Sequence, residues 1–472
     1  MVFVNTRCYN FHGKVVKSVF FKKVDATKGP LIKLIFIYTV PIILSTILQH
    51  LFEVADKAVL GNMAGSVAVA AVGASGIVTS LIISAAVGLS TGTSIILARY
   101  VGQNHEERIR ETVDTSLLTA VGLGLAVAVV GFLAAPPFLT ATKCPADCYE
   151  GALLYIRIYF AAAPASLLYN YGSAILRTLG DTQRPLIYII VAGVVNVALN
   201  IILCILLPQK VAAVAIATAV SQIISAALVL WRLCHFEGVA KVTLSKIRFK
   251  LSAFGQILRF GIPASISQLV LPLGNLQIAT AINSFGVEAI AGNSAASSVH
   301  MVLAAFPNGF AVASTTFMGQ NIGAGDVRRV KSSFWYLLSL SVSISAVLGV
   351  LTCLSGRFWL GLIVGREATA AIDYGMSRLL HVVLFLFVSG INGVFSHALQ
   401  AFGYPLFTSI TNIAFTLGFR VLWMQLVYPQ SPMFDTVMLC FTVSWLLNML
   451  LYAVFFAFVY WRYTRKGICK KI

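Results

Sequence analysis

The chain has 472 residues, of which 58% are hydrophobic and only 11% charged, with mean hydropathy +0.88 and a formal net charge of +18. An ordinary soluble domain carries about a quarter of its residues charged, so that class is excluded. The basic excess would suit a nucleic-acid partner, but it is spread over alternate loops rather than gathered in a patch, and no nucleic acid is expected.

In chain order, residues 1–30 are a basic tail with Lys14, Lys17, Lys22, Lys23 and Lys28 among aromatics. A cleaved signal would need a short apolar core and a small-residue cleavage site. The apolar run that follows is full length, so it reads as a retained first span. The tail itself suits either a basic stretch lying on the membrane or an unstructured segment. Apolar runs long enough to cross a hydrocarbon core then recur near 32–55, 66–92, 113–135, 150–172, 186–207 and 211–231. The segment 232–255 has no apolar run and carries Arg232, Lys241, Lys246, Arg248 and Lys250, which reads as a cytoplasmic linker. Six more runs follow near 256–282, 288–315, 333–355, 374–397, 406–428 and 436–460, and a second basic tail covers 461–472. The expectation is an all-α multi-pass membrane protein of twelve transmembrane helices, with one lobe at 31–231 and the other at 256–460.

The two lobes repeat each other. Val101-Gly102-Gln103-Asn104 returns as Met318-Gly319-Gln320-Asn321, Leu176 to Gly180 returns as Leu399 to Gly403, and Pro41 with Ser45 returns as Pro263 with Ser267. The offsets of 217, 223 and 222 are one register with small insertions. Six spans per half is even, so both halves enter the membrane from the same side. They are then parallel repeats about an axis along the membrane normal with a cavity between them, which is a secondary-transporter plan. Counted by side, 26 Lys and Arg lie with the N-terminus and 5 lie opposite, while Arg157, Arg378 and Arg420 fall at or inside spans. That split places both termini in the cytoplasm and the protein in the cell (inner) membrane.

Small residues crowd Ala64 to Gly92, where they allow close helix packing or low-friction bending surfaces. The eight cysteines include no CxxC pair; Cys144 and Cys148 share an outer loop and could close a strained local disulfide.

Charge inside the membrane is costly and therefore informative. In the first span, Ser45, Gln49, Glu53 and Asp56 step by four, four and three, which puts all four on one helix face, and Pro41 before them permits a kink. A polar face on a kinkable helix suits a proton or cation site. The plainer reading is that Asp56 and Lys57 mark the outer end of the span and face water. Asn196 and Asn200 sit one turn apart in the aliphatic fifth span and need partners; a neighbouring carboxylate or simple helix-to-helix bonds would serve equally. Thr218 adds a hydroxyl from the sixth. The second lobe offers Gln268, Asn275 and Gln277 in its first span and His381, Asn392 and His397 in its fourth, with no acid. The lobes are thus duplicated in structure and unequal in chemistry.

Together these residues resemble the multidrug and toxic compound extrusion family of twelve-span antiporters, over about Gly29 to Arg462. The pieces that carry the likeness are Pro41 with Asp56 and Gly61, Gly102 to Asn104, Leu176 to Pro185, the Asn196/Asn200 pair and Gly319 to Gly325. The resemblance implies export of organic cations driven by inward H⁺ or Na⁺, with no cofactor. It implies a coupling site at Asp56, Asn196, Asn200 and Thr218, a hinge at Pro41, and a substrate cavity reached by Gln49, Glu53, Gln268, Asn275, Gln277, His381 and Asn392. Three departures stand out. Glu53 lies where relatives often carry an uncharged amide, Asn200 where some carry Asp, and the C-lobe acidic pair of some branches is missing. Partners are expected to be small amphipathic molecules and the bilayer, and the protein a monomer. A lipid-linked precursor flippase would favour a cationic cavity, and only Arg157, Arg378 and Arg420 could supply one. A membrane transferase would need paired aspartates for Mg²⁺-pyrophosphate, and no such motif appears. A channel has no reason for two lobes.

Overall fold

A computed structural model describes residues 23–142 and 144–466. Most of the two basic tails, 1–22 and 467–472, lies outside them. The first helix is one 72-residue run, Leu31–Gly102, broken at Gly65 (φ 79°, ψ −176°), a conformation open to glycine because it has no Cβ. The break divides it into α1 (Leu31–Gly65) and α2 (66–102), so the first span continues almost three turns beyond residue 55, where its apolar run weakens. Pro41 does not interrupt it: the backbone stays helical there, and Ser45 Oγ donates to Pro41 O at 2.7 Å. α3 is Glu106–Ala141. α4 is a bent pair, Ala146–Ala161 and Ala163–Thr178, turning by 48° just before Pro164. α5 (Gln183–Leu206) and α6 (Lys210–Cys234) complete the N-lobe.

The C-lobe begins with α7 (Leu251–Asn283), α8 (Val287–Gly323) and α9 (Val327–Leu354). A short helix, Gly356–Val364, leads to α10 (Thr369–Ala401), then α11 (Pro405–Gln430) and α12 (Phe434–Lys466). Both α10 and α11 contain a π-helical turn, at Leu379–Val383 and Ile413–Gly418. Among the described residues, ten helices are each long and apolar enough to cross a bilayer, and the bent α4 pair makes eleven. With the 33-residue α7 the fold has twelve membrane helices in two lobes of six.

The lobes meet along a seam made by α1 and α2 against α7 and α8. Glycine makes this seam possible. Any Cβ at Gly88 or Gly92 would overlap the α7 backbone at Ala264–Ser265 or Gly261, and one at Gly309 of α8 would strike Ile43 of α1. At the end carrying the basic loops, the duplicated motif meets itself: Gly102 lies on the Gln320 carbonyl, Gly319 on Ala98 and Gly323 on the Arg99 carbonyl. Arg99, 5% exposed, donates from Nε and Nη2 to Ala401 O at 3.0 and 2.5 Å. Gln320 Nε2 donates to Thr178 O at 2.8 Å.

The chain ahead of α1 is stitched into the same place. Val24 N donates to Gly180 O at 3.0 Å, Ala26 N to Gln320 Oε1 at 3.1 Å, and Arg329 reaches the carbonyls of Ala26 and Gly29 at 2.8 and 3.0 Å. Gly180 and its repeat Gly403 both turn at positive φ (86° and 92°), which explains why each copy of that motif ends in glycine. Lys23 lies 4.0 Å over the Phe236 ring, where burial, with Arg232 nearby, holds its ammonium below the usual lysine range. The basic face is therefore closed by backbone-to-side-chain bonds between the lobes. Cys144 and Cys148 are free thiols, and Cys148 Sγ points to Val67 O at 3.7 Å instead of its neighbour.

This seam leaves no room for a side chain. Gly102→Leu is expected to hold the basic face open. Maleimide labelling of a single cysteine at Ala401→Cys, applied from that face in a cysteine-free background, should rise several-fold.

Candidate functional site

Two places in the lobes collect polar groups. In the N-lobe, the small Gly193 of α5 accepts the Phe52 ring of α1 so closely that a Cβ there would overlap it. The two helices run in the same direction, so one turn further on Asp56 reaches α5. Asn200 Nδ2 donates to Asp56 Oδ1 at 2.5 Å and to Asn196 Oδ1 at 3.3 Å. Both amides are buried, Asn200 fully, and Asn200 Oδ1 has no partner among the described residues. Thr218 Oγ1 of α6 donates to Val214 O at 3.0 Å and lies within reach of the carboxyl. Thus Asp56, Asn196, Asn200 and Thr218, from three helices, come together. Their oxygens are hard donors, suited to a proton or a small hard cation.

A magnitude helps here. An Asp at mid-membrane costs about 2.5–3.5 kcal/mol on insertion scales. A hydrogen bond to a charged group returns about 1.5–3 kcal/mol. The Asn200 bond therefore roughly cancels the cost and leaves little net stabilisation, so the cluster is poorly explained as a device for holding the fold together.

Glu53 shares no hydrogen bond with this cluster, although its carboxylate is near enough to repel that of Asp56. Its side chain is 56% exposed, and its nearest partner is His50 Nδ1 at 3.8 Å. Gln49 is exposed on the same helix.

The C-lobe contains a cavity of about 320 Å³. Gln268 and Asn392 line it, together with His397, Asn412, Asn448 and Trp445. Asn392 Nδ2 donates to Trp445 O at 2.9 Å, and neither its Oδ1 nor Asn448 Oδ1 has a partner among the described residues. Asn275 and His381 fall outside the lining. Asn275 Oδ1 accepts from Arg420 Nη1 at 3.2 Å, and His381 turns toward Ser377 O (2.9 Å) and Asp435 (3.9 Å). The side chain of Gln277 lies outside the described residues. Sequence reasoning missed Asn412 and Asn448. Their signal was present, since both are amides in otherwise apolar spans, and Asn448 Nδ2 donates to Asn412 Oδ1 at 3.0 Å. It weighed Arg378 and Arg420 only as candidates for a cationic cavity. Both are buried, at 7% and 2% exposed.

Twelve helices in two parallel lobes, with a closed seam at one face and polar clusters inside each lobe, define a secondary membrane transporter. The MatE family profile matches residues 41–202 and again 263–424, and the chain belongs to that family of transporters. It is 25% identical to the probable multidrug resistance protein YpnP of Bacillus subtilis, over 94% of this chain and 98% of that one. It is 24% identical to an FAD transporter of Shewanella oneidensis, over 61% of this chain and 64% of that one. A solved MOP-superfamily transporter from Pyrococcus furiosus, described as having a binding pocket of reverse polarity, superposes with a TM-score of 0.86 at 22% identity. It covers 94% of this chain and 99% of its own, and that likeness establishes the fold.

Removing the amide that holds Asp56 tests the N-lobe geometry. Asn200→Leu should lower export about 10- to 100-fold, the value of one charge-assisted hydrogen bond. Equilibrium drug affinity should change less than about threefold, measured on the same purified protein.

Proposed function

We propose that this protein exports organic, amphipathic molecules from the cytoplasm by antiport with H⁺ or Na⁺, through alternating access of the two lobes. The observation that carries the reading is the Asp56–Asn200 bond inside the membrane, where a carboxyl earns its place only by binding something that comes and goes. In this scheme, substrate enters between the lobes from the cytoplasm while the basic face is open. A proton or Na⁺ arriving from outside at Asp56 changes what the carboxyl can accept from Asn200, which biases α1 and displaces the cargo. Pro41 is the proposed bending point of α1, and both termini face the cytoplasm.

Glu53, exposed and not hydrogen-bonded to the Asp56–Asn200 pair, is proposed to attract the positive charge of cationic cargo. Relatives named as multidrug resistance proteins support an organic-drug cargo. The FAD transporter among them supports testing anionic cargo too. The C-lobe contributes cavity surface with no carboxylate in its lining.

The experiment is efflux of a fluorescent cationic dye from reconstituted vesicles, with pH and Na⁺ gradients imposed separately. Asp56→Asn is expected to reduce export to background while membrane insertion stays intact, because Asn is nearly isosteric and uncharged. Wild-type efflux from that variant at normal expression would sink the assignment.

Glu53→Gln should weaken export of cationic dyes severalfold and spare neutral ones. Equal loss for both classes, with a moved pH optimum, would place Glu53 in the coupling site instead.

A further inference from the structure

Two arginines are buried in the C-lobe at the same depth and against the same ring. Arg378 of α10 lies with its guanidinium carbon 5.3 Å from the centroid of Phe441, and Arg420 of α11 lies 4.5 Å from it. Neither has a carboxylate partner. All five acids of the lobe are accounted for among the described residues: Glu288, Asp326, Glu367, Asp373 and Asp435. Asp373 pairs with Arg357 at 2.7 Å, Asp435 faces Ser377 and His381, and none lies within 4.0 Å of either buried arginine.

Their neutral partners do not saturate them. A guanidinium presents five N–H donors. Among the described residues, Arg378 uses one, from Nη1 to Asn293 Oδ1 at 2.6 Å, and its Nε is buried with no acceptor. Arg420 uses two, from Nε to Ser444 Oγ at 3.3 Å and from Nη1 to Asn275 Oδ1 at 3.2 Å. An arginine inside a membrane costs about 2.5–3.5 kcal/mol, and two side by side repel one another as well. Three bonds to neutral groups, each worth about 1.5–3 kcal/mol at most, leave most donors idle.

The backbone is also irregular here. Arg378 immediately precedes the π turn at Leu379–Val383, and Arg420 follows the π turn at Ile413–Gly418 by two residues. Such turns inside α-helices gather at functional sites, because the extra residue re-aims a side chain. Finally, the pair lies behind one wall of the C-lobe cavity, whose lining includes neither arginine nor Phe441. Trp445, which lines that cavity, has its ring 6.5 Å from Phe441 and 6.2 Å from His300, and Thr416 lines it from the α11 π turn that precedes Arg420.

We infer that Arg378 and Arg420 form an oxyanion site that receives a carboxylate or phosphate, with Phe441 and Trp445 offering an aromatic surface beside it. Guanidinium forks match both oxyanions in geometry. The oxyanion either belongs to an aromatic cargo molecule or is free phosphate. The inference rests on the transport reading only for the word cargo, and its test reads binding, so it can fail while export stands, and export can fail while it stands.

The test is thermal unfolding of the purified full-length protein in detergent at constant ionic strength, with benzoate, inorganic phosphate or benzyl alcohol added. Benzoate is expected to raise Tm by about 2 °C or more over the equal-shape neutral benzyl alcohol. Arg378→Gln and Arg420→Gln should each abolish that difference, while the exposed-face variant Arg357→Gln should keep it. A rise with benzoate alone assigns the site to an aromatic cargo. An equal rise with inorganic phosphate assigns it to the free ion. If neither anion exceeds benzyl alcohol in the wild-type protein, the inference is overturned, whether or not the arginine variants fold.

Discussion

Inside the hydrocarbon there is no water to satisfy a polar group, and this constraint shapes everything else in the protein. Each buried donor or acceptor must find a partner in another helix or bind something that the protein handles. Arg99 meets the first demand by closing on Ala401, and Gln320 by bridging to Thr178 and Ala26, so these residues weld the lobes at one face. Asp56 and the Arg378–Arg420 pair meet it only in part. The molecule is therefore held together by its satisfied polar groups and made useful by its unsatisfied ones.

The same division separates the two halves of the duplication. The repeat preserves what the seam requires: Gly102 with Gly319, Gly180 with Gly403, Pro41 with Pro263. It does not preserve charge. On α1 the N-lobe turns one acid, Asp56, toward its neighbouring helices, and the C-lobe interior carries bases on α10 and α11. Packing constrains Gly102 and Gly319 equally because each faces the opposite lobe, and Gly180 and Gly403 both turn at positive φ, whereas an interior cavity leaves the two copies free to diverge. A cargo molecule between them would meet opposite fields on its two sides.

Much of this was legible in the sequence. The twelve spans and the register near 222 residues follow from apolar run length and the repeated motifs, whereas spacing showed only a polar face on α1 and an amide pair on α5, and it was the family resemblance that implied their convergence. The matched family segments, 41–202 and 263–424, keep that same register. What spacing could not supply was phase. His381 and Asn392 lie on one predicted helix, but the π turn at Leu379–Val383 inserts a residue into the turn, and His381 faces Asp435 while Asn392 faces the cavity. Nor could the sequence say what the repeated Gly-Gln-Asn motif is for. Its role lies in the contact between copies, which exists only once the lobes are packed. Gly65 likewise gave no sign of breaking the first helix, being one small residue among many.

The short segment that ties Val24 to Gly180 and Ala26 to Gln320 sits directly before α1. It fixes the inner end of that helix to both lobes at once. α1 is thus anchored at its base, and further along it carries Pro41, Asp56 and the break at Gly65. Any rearrangement that opens the basic face has to release that anchor first. In the proposed cycle, the part of α1 beyond Pro41 would move while its base is held, and the base would move only once these stitches are broken.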